Sequence, residues 1–217
     1  MSEEDVLGDI WASIVSQDLG VEGEISEKWL SEVRSAYESR NEVGPLSAKL
    51  KHFQTNQPKL KQPPVVFFAL IFVGVKSEPA SGDNVEAGVD KFKEFAQQAN
   101  LDQDTIVQEV VELLQLAATT NSTEEHKTEG AYGEEDQHYF LDINFSIFAS
   151  DWEKYEEFME RTRHEFGFLN DDQYKNLRRK ILQSFLQIPN IFATKEFRSE
   201  YEQVARENIA KEIETLS

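Results

Sequence analysis

Residues Pro63 to Val75 read PPVVFFALIFVGV, a run without a charged or hydrogen-bonding side chain. A segment that is apolar on every side has to be enclosed on every side, so other elements must surround it. The run is shorter than the about 20 residues a membrane-crossing helix needs. Its Val and Phe content is compatible with a strand, but no partner strand is visible, and a single strand is not stable alone. A fully buried helix is therefore expected there.

Elsewhere the apolar residues recur at helical spacing. Val6, Ile10, Ile14 and Val15 form one stripe, and Trp29, Leu30, Val33 and Tyr37 form a second after Ser26. Leu46, Leu50 and Phe53 predict a short helix opened by Gly44-Pro45 and closed before Gln57-Pro58. Asp83 with Glu86 resembles a capping box for a helix through Phe95, and Asp102 or Asp104 opens another. Residues Asn121–Gln137 (NSTEEHKTEGAYGEEDQ) are polar, acidic and Gly-containing, which predicts a mobile loop. An apolar helical stretch, His138–Ala149, follows it. Ser150 or Asp151 then caps an amphipathic helix striped by Trp152, Tyr155, Phe158, Met159, Thr162 and Phe166. Asn170 starts the next, with Leu177, Ile181, Leu182, Phe185 and Leu186 inward, and Thr194 opens the last, striped by Tyr201, Val204, Ala205, Ile209 and Ile213. The expected fold is all-α, one helical domain over 1–217 of roughly eight to ten helices. An acidic segment, 1–9, precedes it, and the loop 121–137 interrupts it.

Charge narrows the partners. The chain carries 22 Lys and Arg against 41 Asp and Glu, a formal net charge of −19 at pH 7. That argues against nucleic acid, whose binding needs a basic face that releases phosphate counterions. It argues equally against an anionic membrane surface, since no polybasic stretch offsets the repulsion. A protein partner, basic in character, is expected. There is no cysteine, which removes thiolate catalysis, disulfides and sulfur-held metal sites. The N-terminus MSEEDVLGDIW lacks the basic and apolar regions of a signal peptide, so a cytoplasmic setting is expected, with the nucleus as the other choice.

No nucleophile elbow, P-loop or Gly-rich phosphate cradle is present. His52, His126, His138 and His164 form no H-x-x-x-H or H-D pair that would hold a metal from one helix, and His52 and His164 read as surface residues. Asp142 stands out because it interrupts the apolar stretch Phe140–Ala149. A buried carboxylate there needs a metal, an arginine or a helix end, because an unpaired buried charge costs several kcal/mol.

Asp142–Ala149 (DINFSIFA) resembles the D-x-D-L-S-I-L-G segment of the predicted metal-dependent phosphohydrolases of the HD superfamily. Further matches follow in order. Arg163-His164-Glu165-Phe166 resembles that family's R-x-E-Y, and Arg178 to Leu186 (RRKILQSFL) resembles its R-x-x-V-L-x-x-F-L, with Leu177 in place of the preceding glycine. Ile191-Phe192-Ala193-Thr194 is similar to I-Y-x-T, and Ala205-Arg206-Glu207-Asn208-Ile209 to A-R-x-N-L. Upstream, Phe68–Phe72 (FALIF) and Asp83–Glu86 (DNVE) are weaker copies of A-x-W-F and D-N-E.

The resemblance implies an HD-domain-like helical bundle whose relatives hold a divalent metal that activates water against a phosphoester. It also exposes what this sequence lacks. The His-Asp pair expected after Phe72 is Val73-Gly74, and the histidine stretch expected after Arg40 contains Val43 and Ser47 instead. His126 fits a T-x-x-H element, although a rival alignment puts Ser122 there; Asn144 replaces the second acid, and only Asp142 remains. Asp142 and His126 are thus vestigial metal candidates, and Arg40, Arg163 and Arg178 are candidate phosphate contacts. No catalytic residue, resident metal or cofactor is expected. The implied function is a non-catalytic pseudoenzyme that works as a protein-interaction module. The alternative is a residual metal-dependent phosphohydrolase acting on a nucleotide or phosphorylated small molecule.

Overall fold

The computed structural model describes residues 5–75, 84–101, 105–119 and 121–216. All regular structure among the described residues is helical. They gather into two compact units, one built from 5–75, 84–101 and 105–119 and the other from 121–216.

In the first unit α1 (Val6–Trp11) runs directly into a π-helical stretch, Ala12–Asp18. Then follow α2 (Gly23–Glu38), α3 (Val43–Asn56), α4 (Pro63–Phe72), α5 (Asn84–Gln98) and α6 (Thr105–Thr119). The apolar run is α4, with Val65 to Phe72 all buried. Its opening prolines occupy positions whose N–H would have no intrahelical acceptor. Helices α3, α5 and α6 pack against it. Phe67, Phe68 and Phe72 meet Trp11, Trp29, Phe53, Phe92 and Phe95 with ring centroids 5.2–6.3 Å apart, in mostly tilted or edge-on contacts.

The carbonyls that end α4 are met from α2 and the turn after it. Tyr37 Oη donates to the Ile71 carbonyl at 2.9 Å, and the Arg40 guanidinium donates to the Gly74 carbonyl and to that of Val75. These bonds satisfy groups that a helix end leaves without partners. Burial drives the Tyr37 phenol well above its ordinary pKa.

The second unit consists of α7 (Glu124–Lys127), α8 (Asp136–Phe145) with a 3-10 continuation over Ser146–Ala149, α9 (Trp152–Glu165), α10 (Asp171–Gln187) and α11 (Lys195–Thr215). Helix α11 packs along the 3-10 turn and α10. Asn170 caps α10 as its sequence predicts: its Oδ1 accepts the Gln173 N–H at 2.9 Å, and the Gln173 side chain returns to the Asn170 N–H at 3.1 Å. Thr194 takes the equivalent position on α11.

Three expectations meet a different outcome. The segment 121–137, expected as a loop, contains α7 and buries His126, because Thr123 and His126 close a capping box that gives the polar stretch a local fold. Leu177, Ile181 and Val204, assigned to inward stripes, are exposed; α10 buries the narrower face of Tyr174, Arg178 and Leu182 instead. His52 is half-buried, while His164 is exposed as expected. Residues 1–4 of the acidic N-terminal segment, and the caps assigned to Asp83, Asp102 and Asp104, lie outside the described residues.

Candidate functional site

Asp142 sits in α8 with no exposed surface. Its Oδ1 accepts the Ala193 N–H at 2.8 Å; its Oδ2 accepts the Thr194 N–H at 2.8 Å and the Thr194 hydroxyl at 2.7 Å. The carboxylate therefore holds Thr194, the residue that caps α11, and Ala193 before it, at the helix end whose dipole favours negative charge. Burial pushes its pKa up to about 7, against the Thr194 hydroxyl and the two N–H groups, which hold it down.

His126 is likewise buried, in α7. Its Nδ1 accepts the Thr123 N–H at 3.0 Å, which leaves the proton of the neutral ring on Nε2. Among the described residues that Nε2 has no hydrogen-bond partner, and the ring stands edge-to-face against Phe145 with centroids 6.3 Å apart. Burial, followed by the charges of His138 and Arg198, lowers its pKa to about 4. His138 repeats the arrangement one helix later: Nδ1 accepts the Glu135 N–H at 2.9 Å, and Nε2 meets Glu125 Oε2 at 3.0 Å. Gly133 makes this possible, since a Cβ there would collide with the imidazole. The Thr123 hydroxyl, ahead of His138, holds the Glu125 carboxyl below its ordinary pKa.

The loop before α11 is tied into the same region. The Asn190 side-chain amide donates to the carbonyls of Glu125 and Thr128 at 2.8 and 2.9 Å, and its backbone N–H donates to the His126 carbonyl at 3.1 Å. Glu202 accepts the N–H groups of Ile191 and Phe192, while Arg206 donates to the carbonyls of Leu186, Ile188 and Pro189. Asn208 donates to the carbonyls of Phe148 and Ser150, both at 2.9 Å. The polar members of the motifs quoted above thus hold turns and helix ends.

A divalent metal does not fit these residues. Both Asp142 oxygens are engaged by donors, and the His126 Nδ1 lone pair is taken by the Thr123 N–H. Among the described residues no three His, Cys, Asp or Glu side chains converge as a metal-holding group. In the first unit, a Cβ at Gly74 would stand 2.8 Å from Tyr37 Oη, so a side chain at that position would have to displace the Tyr37 hydroxyl. Val43 is exposed on α3.

The three candidate arginines are each engaged within the protein. Arg40 also binds Glu42 at 2.8 Å. Arg163 closes the α9–α10 turn through the carbonyls of Phe166 and Leu169 and through Asp171, and lies over the Tyr174 ring at 4.8 Å. Arg178 grips Glu212 with two bonds of 2.6 and 3.0 Å; Tyr155 Oη donates to the same carboxylate at 2.7 Å, and all three residues are buried. Burial alone would lower the Arg178 pKa, but the bonds and charge of Glu212 outweigh it and raise it. Arg163 and Arg178 both belong to the second unit, Arg40 to the first.

Sequence reasoning missed Glu212, Asn190 and the role of His138, and it named Asn208 only as a motif position. Asn208 and Glu212 stand three and seven residues beyond Ala205, on the buried stripe of α11. A polar side chain at a stripe position is the signal that was available.

No family model, curated protein or solved structure matches the chain.

Proposed function

We propose that this chain is a retained HD-type helical scaffold without its metal centre, used as a non-catalytic protein-interaction module. The observation that carries the proposal is the Asp142 carboxylate, whose two oxygens are spent on Ala193 and Thr194 at the start of α11. In a hydrolase of this kind the carboxylate would have to face a cation and a water. The crowding at Gly74 supports the same reading from the other unit, where an acid would be required. With catalysis set aside, the surface does the work. The net charge of −19 favours a basic protein partner through steering and complementarity. A cytoplasmic setting belongs to this reading. Among the described residues, no helix is long and apolar enough to cross a membrane.

The decisive measurement is metal content by plasma mass spectrometry, paired with a phosphatase screen in Mn²⁺ and Mg²⁺ on nucleotides and sugar phosphates. Sub-stoichiometric metal and no turnover are expected. Stoichiometric metal, or turnover abolished by Asp142→Ala, would establish the residual phosphohydrolase instead. Affinity capture from a native extract tests the interaction half, and a monodisperse monomer with no recoverable partner would count against it.

A further inference from the structure

Helix α10 departs from the rest of the chain in charge. Its two acids, Asp171 and Asp172, stand in the first turn; from Gln173 to Gln187 it has no Asp or Glu, in a protein with 41 of them, and it carries Lys175, Arg178, Arg179 and Lys180. Arg178 is spent on Glu212, and Arg179 donates to the Leu216 carbonyl. Lys180 is exposed and lies next to Leu177 and Ile181, which are 39% and 38% exposed. Those two are four residues apart, so they form one contiguous patch on the helix surface. Asn176 and Ser184 extend the face without adding charge.

We propose that this outer face of α10 docks an acidic helical segment of a partner protein, its apolar side on Leu177 and Ile181 and its carboxylates toward Lys180. Charge selects that occupant. Screening at physiological salt confines exposed charges to about 8 Å, so the charges carried by α10 itself weigh most at this face. A basic segment would meet like charge on this helix. A second copy joined through a two-fold axis on this face would set Lys180 against its own counterpart. This inference rests on α10 alone and stands apart from the metal-site reading.

The test titrates the full chain into a fluorescein-labelled synthetic helical peptide with Leu on one face and Glu on the other, read by anisotropy at low and high salt. A Leu–Lys peptide serves as the control, since it can bind acidic faces elsewhere. Saturable binding of the Leu–Glu peptide is expected, weakened by salt. It should drop at least about tenfold with Leu177→Ser plus Ile181→Ser, and likewise with Lys180→Glu. Leu–Lys binding should be indifferent to all three changes. No binding of the Leu–Glu peptide, or binding insensitive to these substitutions, overturns the proposal. So does dimerisation in sedimentation that Ile181→Ser abolishes, which would assign the face to a second copy. Circular dichroism checks each fold, and if the double variant unfolds, Lys180→Glu carries the test.

Discussion

In the first unit the interior is a stack of rings around α4; among the described residues few polar groups are buried in it, chiefly Ser26, Asn56 and the Tyr37 hydroxyl. In the second unit the interior is threaded by His126, His138, Asp142, Arg178, Asn190, Thr194, Asn208 and Glu212. Apolar burial is non-directional, so a core of the first kind depends on volume and tolerates swaps that conserve it. A polar interior depends on each donor finding its acceptor and loses heavily when one is removed. The first kind of core should respond to cavities, and the second to single atoms and to pH.

The largest effect expected in the second unit comes from its buried ion pair. Glu212→Leu should destabilise it by about 3–5 kcal/mol, because Arg178 is left buried and unpaired. Adding Arg178→Met should recover most of that loss, and a double variant as unstable as the single one would refute the account. In the first unit Phe68→Ala should lose a similar about 3–5 kcal/mol by cavity formation, with no dependence on pH. Denaturant titration measures both.

Asp142 and His126 sharpen the contrast. The folded-state pKa of Asp142 is raised from 3.8 to about 7, so its contribution to stability is complete below 3.8 and is lost as pH rises through about 7. That of His126 is lowered from 6.5 to about 4, so its contribution is present above 6.5 and is lost as pH falls through about 4. The two oppose each other between these limits. Asp142→Asn, which leaves His126 alone, should make the second unit less stable on going from about pH 7 to about pH 5. His126→Gln keeps an acceptor for the Thr123 N–H and should reverse the trend. Hydrogen–deuterium exchange resolved by peptide, corrected for intrinsic rates, distinguishes the units; a trend of the same sign in both variants would sink the argument.

Smaller effects follow at the surface. Asn170→Ala removes the α10 cap and should cost about 1 kcal/mol, read as a shifted denaturation midpoint. Ile181→Ser, on the exposed face of α10, should stay within about 0.5 kcal/mol. A larger loss would mean that Ile181 is part of the core.

Local signals made most of the helices legible. Apolar spacing located α2, α3 and α9, the uninterrupted apolar run located α4, and capping residues placed the starts of α10 and α11 within a residue. Most of 121–137 is irregular as expected, but polarity does not report exposure: Thr123 and His126 close the α7 capping box, which brings the His126 ring into the interior. Leu177 and Ile181 were assigned to the core because periodicity reports an apolar face without saying whether a neighbour covers it. At the site, Asp142 was visible as an acid in apolar surroundings that needed a partner. Its partner was not visible, because a metal, an arginine and a helix end all satisfy the same need.

The all-helical character, the buried helix over the apolar run and the acidity follow from composition and from spacing within a few turns, and each is a local property. Which groups meet is not local. Asp142 reaches Ala193 across 51 residues, and Arg178 reaches Glu212 across 34. The division into two units, the closeness of Tyr37 to Gly74 and the spending of Asp142 on the start of α11 depended on how the helices pack. A buried polar group must find a partner somewhere, and only the packed structure decides which one comes within reach.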